Sequence, residues 1–195
     1  MDKLIGVYGQ PAERAKFIHK INLCLESGKT YEMVSRKPFN GTMDLFKYNP
    51  EVPDAITILT FNRTMDKVLL QKEWRYPVQD FIYEFPAGLL DTNDNSPKDT
   101  AKRELMEETG LYIIEYIDYL PAAYQSAGMT NETTGLVICK ADGEITRANL
   151  QEGEDIYPEW VDRNKAMYLI RSHKMSVRAQ SILYMWCYGG NINEY

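Results

Sequence analysis

The chain has 195 residues, with 22 Lys+Arg against 28 Asp+Glu and a net charge of −6; this length fits one domain with a core of its own. The acidic balance and the lack of any basic run exclude a general nucleic-acid binder, and apolar stretches such as Ala55–Leu59 and Ile182–Cys187 are too short to span a bilayer. Three scattered cysteines (Cys24, Cys139, Cys187) exclude a disulfide framework, and with no signal-peptide pattern at Met1-Asp2-Lys3-Leu4 they are expected to be buried thiols in a reducing cytoplasm.

Taken in chain order, residues 17–37 read as a hairpin, in which Ile21, Leu23 and Leu25 alternate with polar partners and Glu26-Ser27-Gly28-Lys29 supplies the turn. Asn49 to Asp54 is a Pro-containing loop. Ala55–Phe61, Lys67–Glu73 and Asp80–Phe85 are expected strands, the last ending at Pro86-Ala87-Gly88. Ser96-Pro97-Lys98-Asp99 is a helix start and Gly110 a stop. Strand-like runs follow at Leu111–Tyr124, Thr133–Cys139, Glu144–Ala148 and Asp155–Val161. The tail reads as two helices, Arg163–Arg171 and one capped by Ser176 and stopped at Gly189-Gly190. Many strands around one central helix, with helices at the end, indicate an α+β sandwich and not a βαβ repeat.

The central helix carries the densest chemistry. At 100° per residue Glu104, Glu107 and Glu108 share a sector of roughly 100°, beside the less polar stripe Ala101, Leu105 and Thr109. Like charges at this spacing repel by about 0.2–0.5 kcal/mol per close pair on an exposed helix, and a bound cation turns that repulsion into ligation. His19 and His173 share no ligand spacing, so any metal is expected to be a hard, oxygen-ligated ion such as Mg²⁺ or Mn²⁺. The competing reading is a solvated acidic face, with Arg103 pairing Glu107 one turn on.

The flanking residues favour the metal. Glu84-Phe85-Pro86-Ala87-Gly88, a loop, and Arg103-Glu104-Leu105-Met106-Glu107-Glu108-Thr109-Gly110-Leu111 resemble the Nudix hydrolase signature, G-x₅-E-x₇-R-E-U-x-E-E-x-G-U with U a bulky aliphatic. The second half matches at every specified position. In the first half Asp94 stands six residues after Gly88 and eight residues separate it from Arg103, so the loop carries one extra residue and Asp94 or Asn95 replaces the usual Glu. Lys72-Glu73-Trp74-Arg75-Tyr76-Pro77-Val78, Ser126-Ala127-Gly128-Met129 and Glu152-Gly153-Glu154-Asp155-Ile156 extend the resemblance to the ADP-ribose pyrophosphatase-like branch. That branch has a Pro 16 residues past the box, where this chain has Ala127.

The resemblance implies a Nudix-type α/β/α sandwich around a mixed sheet, with the box as a loop–helix–loop. It also implies an N-terminal hairpin region, 1–48, forming a homodimer ahead of a hydrolase domain, 49–195. By the same resemblance Glu104 and Glu108 ligate Mg²⁺, with Glu107 supporting them. Arg103 orients the cluster, the backbone carbonyl of Ala87 and Glu154 are further ligands, and Glu152 is the base. Glu132 is a weaker candidate for that last role. Arg75 would contact a diphosphate, and Tyr31 and Arg36 would stack on the base and contact the ligand. The expected activity is Mg²⁺-dependent cleavage of a small-molecule nucleotide in the cytoplasm, a nucleoside diphosphate linked to a sugar, with ADP-ribose first. GDP-mannose, a dinucleoside polyphosphate, a damaged nucleotide, or a non-catalytic nucleotide-binding module are the rival readings.

Overall fold

A computed structural model describes residues 3–9 and 17–189. The described residues form two compact units, one within Met1–Ala55 and Pro121–Gly135, the other within Ile56–Leu120 and Leu136–Tyr195.

In the first unit, β1 (Leu4–Gly9), β2 (His19–Leu25) and β3 (Thr30–Ser35) make a three-stranded sheet in that order. The β2–β3 pair is the expected hairpin. Its turn closes where Gly28, at φ 83°, donates to the Leu25 carbonyl at 2.9 Å, a left-handed position that glycine takes without strain. Ile21, Met33 and Leu45 form its small core, Leu45 coming from a short 3₁₀ turn at Met43–Phe46. β1 has no strong pattern of its own: two of its six residues are glycines and its burial is partial, so its pairing with β2 is what makes it a strand.

The second unit is built on the larger, mixed sheet, whose path runs β10 (Ile156–Asp162), β5 (Lys67–Arg75), β4 (Ala55–Phe61), β9 (Thr133–Asp142), β8 (Tyr112–Tyr124). β6 (Asp80–Glu84) also pairs with β5, and the short β7 (Ala87–Leu89) with β4. Strand alternation sends successive residues to opposite faces. Ile56, Ile58, Leu69, Val137 and Cys139 face α1 (Pro97–Thr109) through Ala101 and Leu105. Leu59, Phe61, Val68 and Leu70 face α2 (Arg163–Ser172) and α3 (Val177–Tyr188) through Ala166, Leu169, Ala179 and Leu183. Helices on both faces give the expected α/β/α sandwich.

The expected helices form within a residue or two of their predicted ends. Gly190, the second half of the predicted C-terminal stop, lies outside the described residues. Glu144–Ala148 does not form a strand. Ile145 is its one large apolar residue and is exposed, so nothing holds the segment against a sheet. Of the cysteines, all free, only Cys139 is fully buried, its thiol pushed up to about 11 by burial. No described helix is long and apolar enough to cross a membrane.

Candidate active site

The site of the second unit starts from α1. Ser96 caps it, accepting from the Asp99 N–H at 3.3 Å, and Pro97 opens it. Gly110 ends it at φ 76°, where a side chain would stand 2.2 Å from Thr146 Cγ2. Between these stops the helix turns Ala101 and Leu105 into the core. Glu108, expected at the border of that face, goes in with them and is only 6% exposed.

Glu108 is held where an ionised carboxylate is costly. Its Oε2 accepts from the Ala87 N–H at 3.2 Å and Gln71 adds a side-chain hydrogen bond. Burial, and then the charges of Glu73 and Glu104, still push its carboxyl well above the usual range. Glu104 is also raised, first by burial, with Arg103 opposing and Glu107 and Glu154 adding to the rise. The β7 backbone lies hard against it, since a Cβ on Gly88 would stand 1.9 Å from the Glu104 carboxyl carbon. Glycine is required there by close approach and not by its φ.

Arg103 is the counter-ion of the cluster. Its Nη2 donates to Asp94 Oδ2 at 2.8 Å and to the Leu89 carbonyl at 3.1 Å. Its Nη1 donates to Glu104 at 2.7 Å and to Glu107 at 3.3 Å. Of the two loop candidates, Asp94 is the acid that takes the arginine. The Arg103 hydrogen bonds hold its carboxyl down to about 2 despite some burial, with Thr100 Oγ1 and the Asp91 N–H also donating to it. Among the described residues no three His, Cys, Asp or Glu side chains already surround a common point. The donor set nevertheless fits a hard cation: buried, oxygen-only, and with more negative charge than Arg103 neutralises. A cation there would compete with Arg103 for Glu104.

Strand β5 adds two residues to which the sequence assigned no role, Gln71 and Glu73. They alternate with the expected Arg75 onto the α1 face, with Glu84 of β6 paired opposite Gln71. Gln71 is 1% exposed; its amide donates to Glu73 at 3.3 Å, while its Oε1 has no hydrogen-bond partner among the described residues. Arg75 is bound by Glu84 and Glu73, which, against the opposing effect of burial, hold its guanidinium more firmly protonated. The signal for Glu73 was its period-two spacing from Arg75 on a strand feeding the box. A buried Gln gives no comparable signal.

On the late loop, Glu154 Oε2 accepts from the Gln151 N–H at 2.9 Å. Burial raises the Glu73 carboxyl as it does that of Glu104, and the Glu154 charge adds to the rise at both. Glu152 is exposed on the same turn. Gln151 also reaches Glu107 at 3.5 Å. Ala87 is half-buried on β7.

Tyr31, Arg36 and Glu132 belong to the first unit. There the Tyr31 hydroxyl donates to the Gly128 carbonyl at 2.6 Å, and Arg36 pairs with Glu132 at 2.5 Å. Tyr31 lines a cavity of about 290 Å³ with Met33, Tyr124, Ala127 and Met129.

The NUDIX domain model matches residues 52–184 of this chain. The chain belongs to the NUDIX domain family. Within NUDIX proteins it is similar to the ADP-ribose pyrophosphatase of Saccharomyces cerevisiae, 40% identical over 94 residues that cover 46% of this chain and 39% of that one. It is similar also to the ADP-sugar pyrophosphatase of Mus musculus, 36% identical over 94 residues, 47% and 42% of the two chains. A GDP-mannose pyrophosphatase of Pectobacterium atrosepticum is 36% identical over 85 residues, 40% and 42%. The matched stretch thus spans less than half the length of each of these relatives. Among solved structures, one titled as an ADP compounds hydrolase superposes with a TM-score of 0.67 at 17% identity, covering 99% of this chain and 96% of that one. At that identity it speaks for the NUDIX fold.

Proposed function

We propose that this chain is a divalent-cation-dependent NUDIX hydrolase of a nucleoside diphosphate linked to a sugar, with ADP-ribose as first substrate and AMP and ribose 5-phosphate as products. The observation that carries the reading is the carboxylate pair of half-buried Glu104 and buried Glu108, packed against the Ala87–Gly88 backbone and countered by Arg103 on Asp94. The names of the yeast and mouse relatives agree with it.

Glu104, Glu108, Glu154 and the Ala87 carbonyl would hold Mg²⁺, or Mn²⁺. When bound, the cation neutralises the diphosphate and makes a water more acidic. Water adds to one phosphorus, the bond to the bridging oxygen breaks, and each product leaves as a monophosphate. Glu152 takes the water's proton. Glu107 and Arg103 keep Glu104 in place, and Arg75 contacts the diphosphate. Tyr31 stacks on the base and Arg36 contacts the ligand, supplied across a homodimer formed by the 1–48 region. The setting proposed is the cytoplasm, which agrees with three cysteines that form no disulfide.

The purified chain, given Mg²⁺ and a panel of ADP-ribose, GDP-mannose, a dinucleoside polyphosphate and an oxidised nucleotide, tests this through the monophosphates released. Turnover of ADP-ribose with AMP as a product is expected. Cleavage of GDP-mannose alone would move the substrate, a shift that the GDP-mannose pyrophosphatase relative makes worth testing. Silence on the whole panel, shared by Glu108→Gln, would leave a nucleotide-binding module.

A further inference from the structure

The α1 face of β5 and β6 holds one more carboxylate than Arg75 needs. Glu84 takes one edge of the guanidinium: Arg75 Nε donates to its Oε2 at 2.6 Å and Nη2 reaches the same oxygen. Glu73 takes the other edge as an ion pair, its Oε1 2.8 Å from Nη1. Two acids on one base leave a local charge of −1 at the residue proposed to meet a diphosphate. The two acids are not equivalent. Glu84 reaches Arg75 from the neighbouring strand by two nitrogens. Glu73 lies two residues back on the same strand, is held from behind by the Gln71 amide, and meets Arg75 through one nitrogen. The Arg75 side chain is 40% exposed, whereas those of Glu73 and Glu84 are 13% and 17% exposed. A solvent-borne anion therefore finds a guanidinium already bound on both edges, and the Glu73 edge is the more weakly held.

We infer that Glu73 is a positioning residue that restrains Arg75 and sets how tightly the site takes a phosphorus anion; this rests on the reading of Arg75 as a diphosphate contact. An arriving diphosphate must displace Glu73 from Nη1 while Glu84 keeps the guanidinium in place. A glutamine at 73 retains the shape and the acceptor toward Nη1 but loses the charge, and so removes the competitor without removing the strut.

The test compares wild type with Glu73→Gln, Glu73→Ser and Glu73→Asp. Binding of inorganic pyrophosphate and of ADP is measured by calorimetry with and without Mg²⁺, beside KM and kcat on ADP-ribose. Both neutral variants are expected to bind the two anions roughly three- to tenfold more tightly. KM should fall by a similar factor while kcat moves by less than about twofold, the split expected when uniform binding alone changes. Glu73→Asp keeps the charge and should stay near wild type, and Arg75→Lys should erase the gain in Glu73→Gln. Unchanged or weaker anion binding by the neutral variants overturns the inference, as does a raised Mg²⁺ requirement with a fallen kcat, which would make Glu73 serve the cation. If Glu73→Gln does not fold, Glu73→Ser carries the comparison. Failure of wild type to cleave ADP-ribose would remove the proposed substrate, while the pyrophosphate comparison would still decide the role of Glu73.

Discussion

At the scale of single residues, Asp94 shows how a departure from a pattern is absorbed. Its side chain is one methylene shorter than the signature glutamate, and its loop is one residue longer. In this loop Asp94 faces Arg103, and the Asp91 N–H and the Thr100 hydroxyl donate to the same Oδ2 that Arg103 Nη2 reaches. Because its folded pKa is depressed to about 2 from an ordinary 3.8, the stability it contributes is present above about pH 4 and is lost as pH falls toward 2. Asp94→Asn should be less stable at pH 6 and should lose less between pH 4 and 2.5, read as the urea midpoint across that range. Equal pH slopes in both proteins would show that the pair is not the source. Gly88 makes a complementary prediction. With 1.9 Å between a new Cβ and the Glu104 carboxyl carbon, Gly88→Ala must push that carboxyl aside. Turnover should drop by about a hundredfold, the usual consequence of a misplacement near 1 Å, while the far-ultraviolet dichroism stays that of wild type.

At the scale of elements, α1 was legible to the residue because its ends are written in local chemistry. Serine caps, proline opens, and a glycine at positive φ closes. Gly110→Ala should cost about 1–2 kcal/mol from the left-handed backbone alone, and more because the methyl meets Thr146, whereas Ser96→Ala should cost about 1 kcal/mol. Urea unfolding measures both, and a larger loss from Ser96→Ala would contradict the ordering. Elements that depend on distant partners were not legible. β1 exists through β2, and β7, three residues long, through β4. Glu144–Ala148 had strand-like spacing but no sheet to complete. The site divides the same way. Glu104, Glu107, Glu108 and Arg103 lie on one helix and could be named from periodicity. The depth of Glu108, and the Gln71–Glu73–Arg75–Glu84 chain beside it, exist only once β5 and β6 pair and bring four residues from two strands onto one face.

At the scale of the whole molecule, a net charge of −6 sets a proposed polyanionic substrate against a polyanionic protein. Much of that excess is held in Glu104, Glu107, Glu108, Glu152 and Glu154, and burial makes part of it intrinsically unstable. A bound cation should therefore be read in stability as well as in turnover. At 100 times its dissociation constant, a ligand that binds only the folded state adds about 2.7 kcal/mol, worth roughly 5–10 °C in a chain of this size. Mg²⁺ should raise Tm by that order, and the chelated protein should return to its starting value. Glu108→Gln separates the two contributions because it acts on them with opposite signs. It removes a carboxylate that burial, and then the charges of Glu73 and Glu104, disfavour, so the metal-free variant should melt above metal-free wild type. It also removes a proposed ligand, so its Mg²⁺ shift should vanish together with turnover. A variant that melts lower without metal, or that keeps the full shift, would place the cation elsewhere and would make the burial of Glu108 a matter of packing instead of binding.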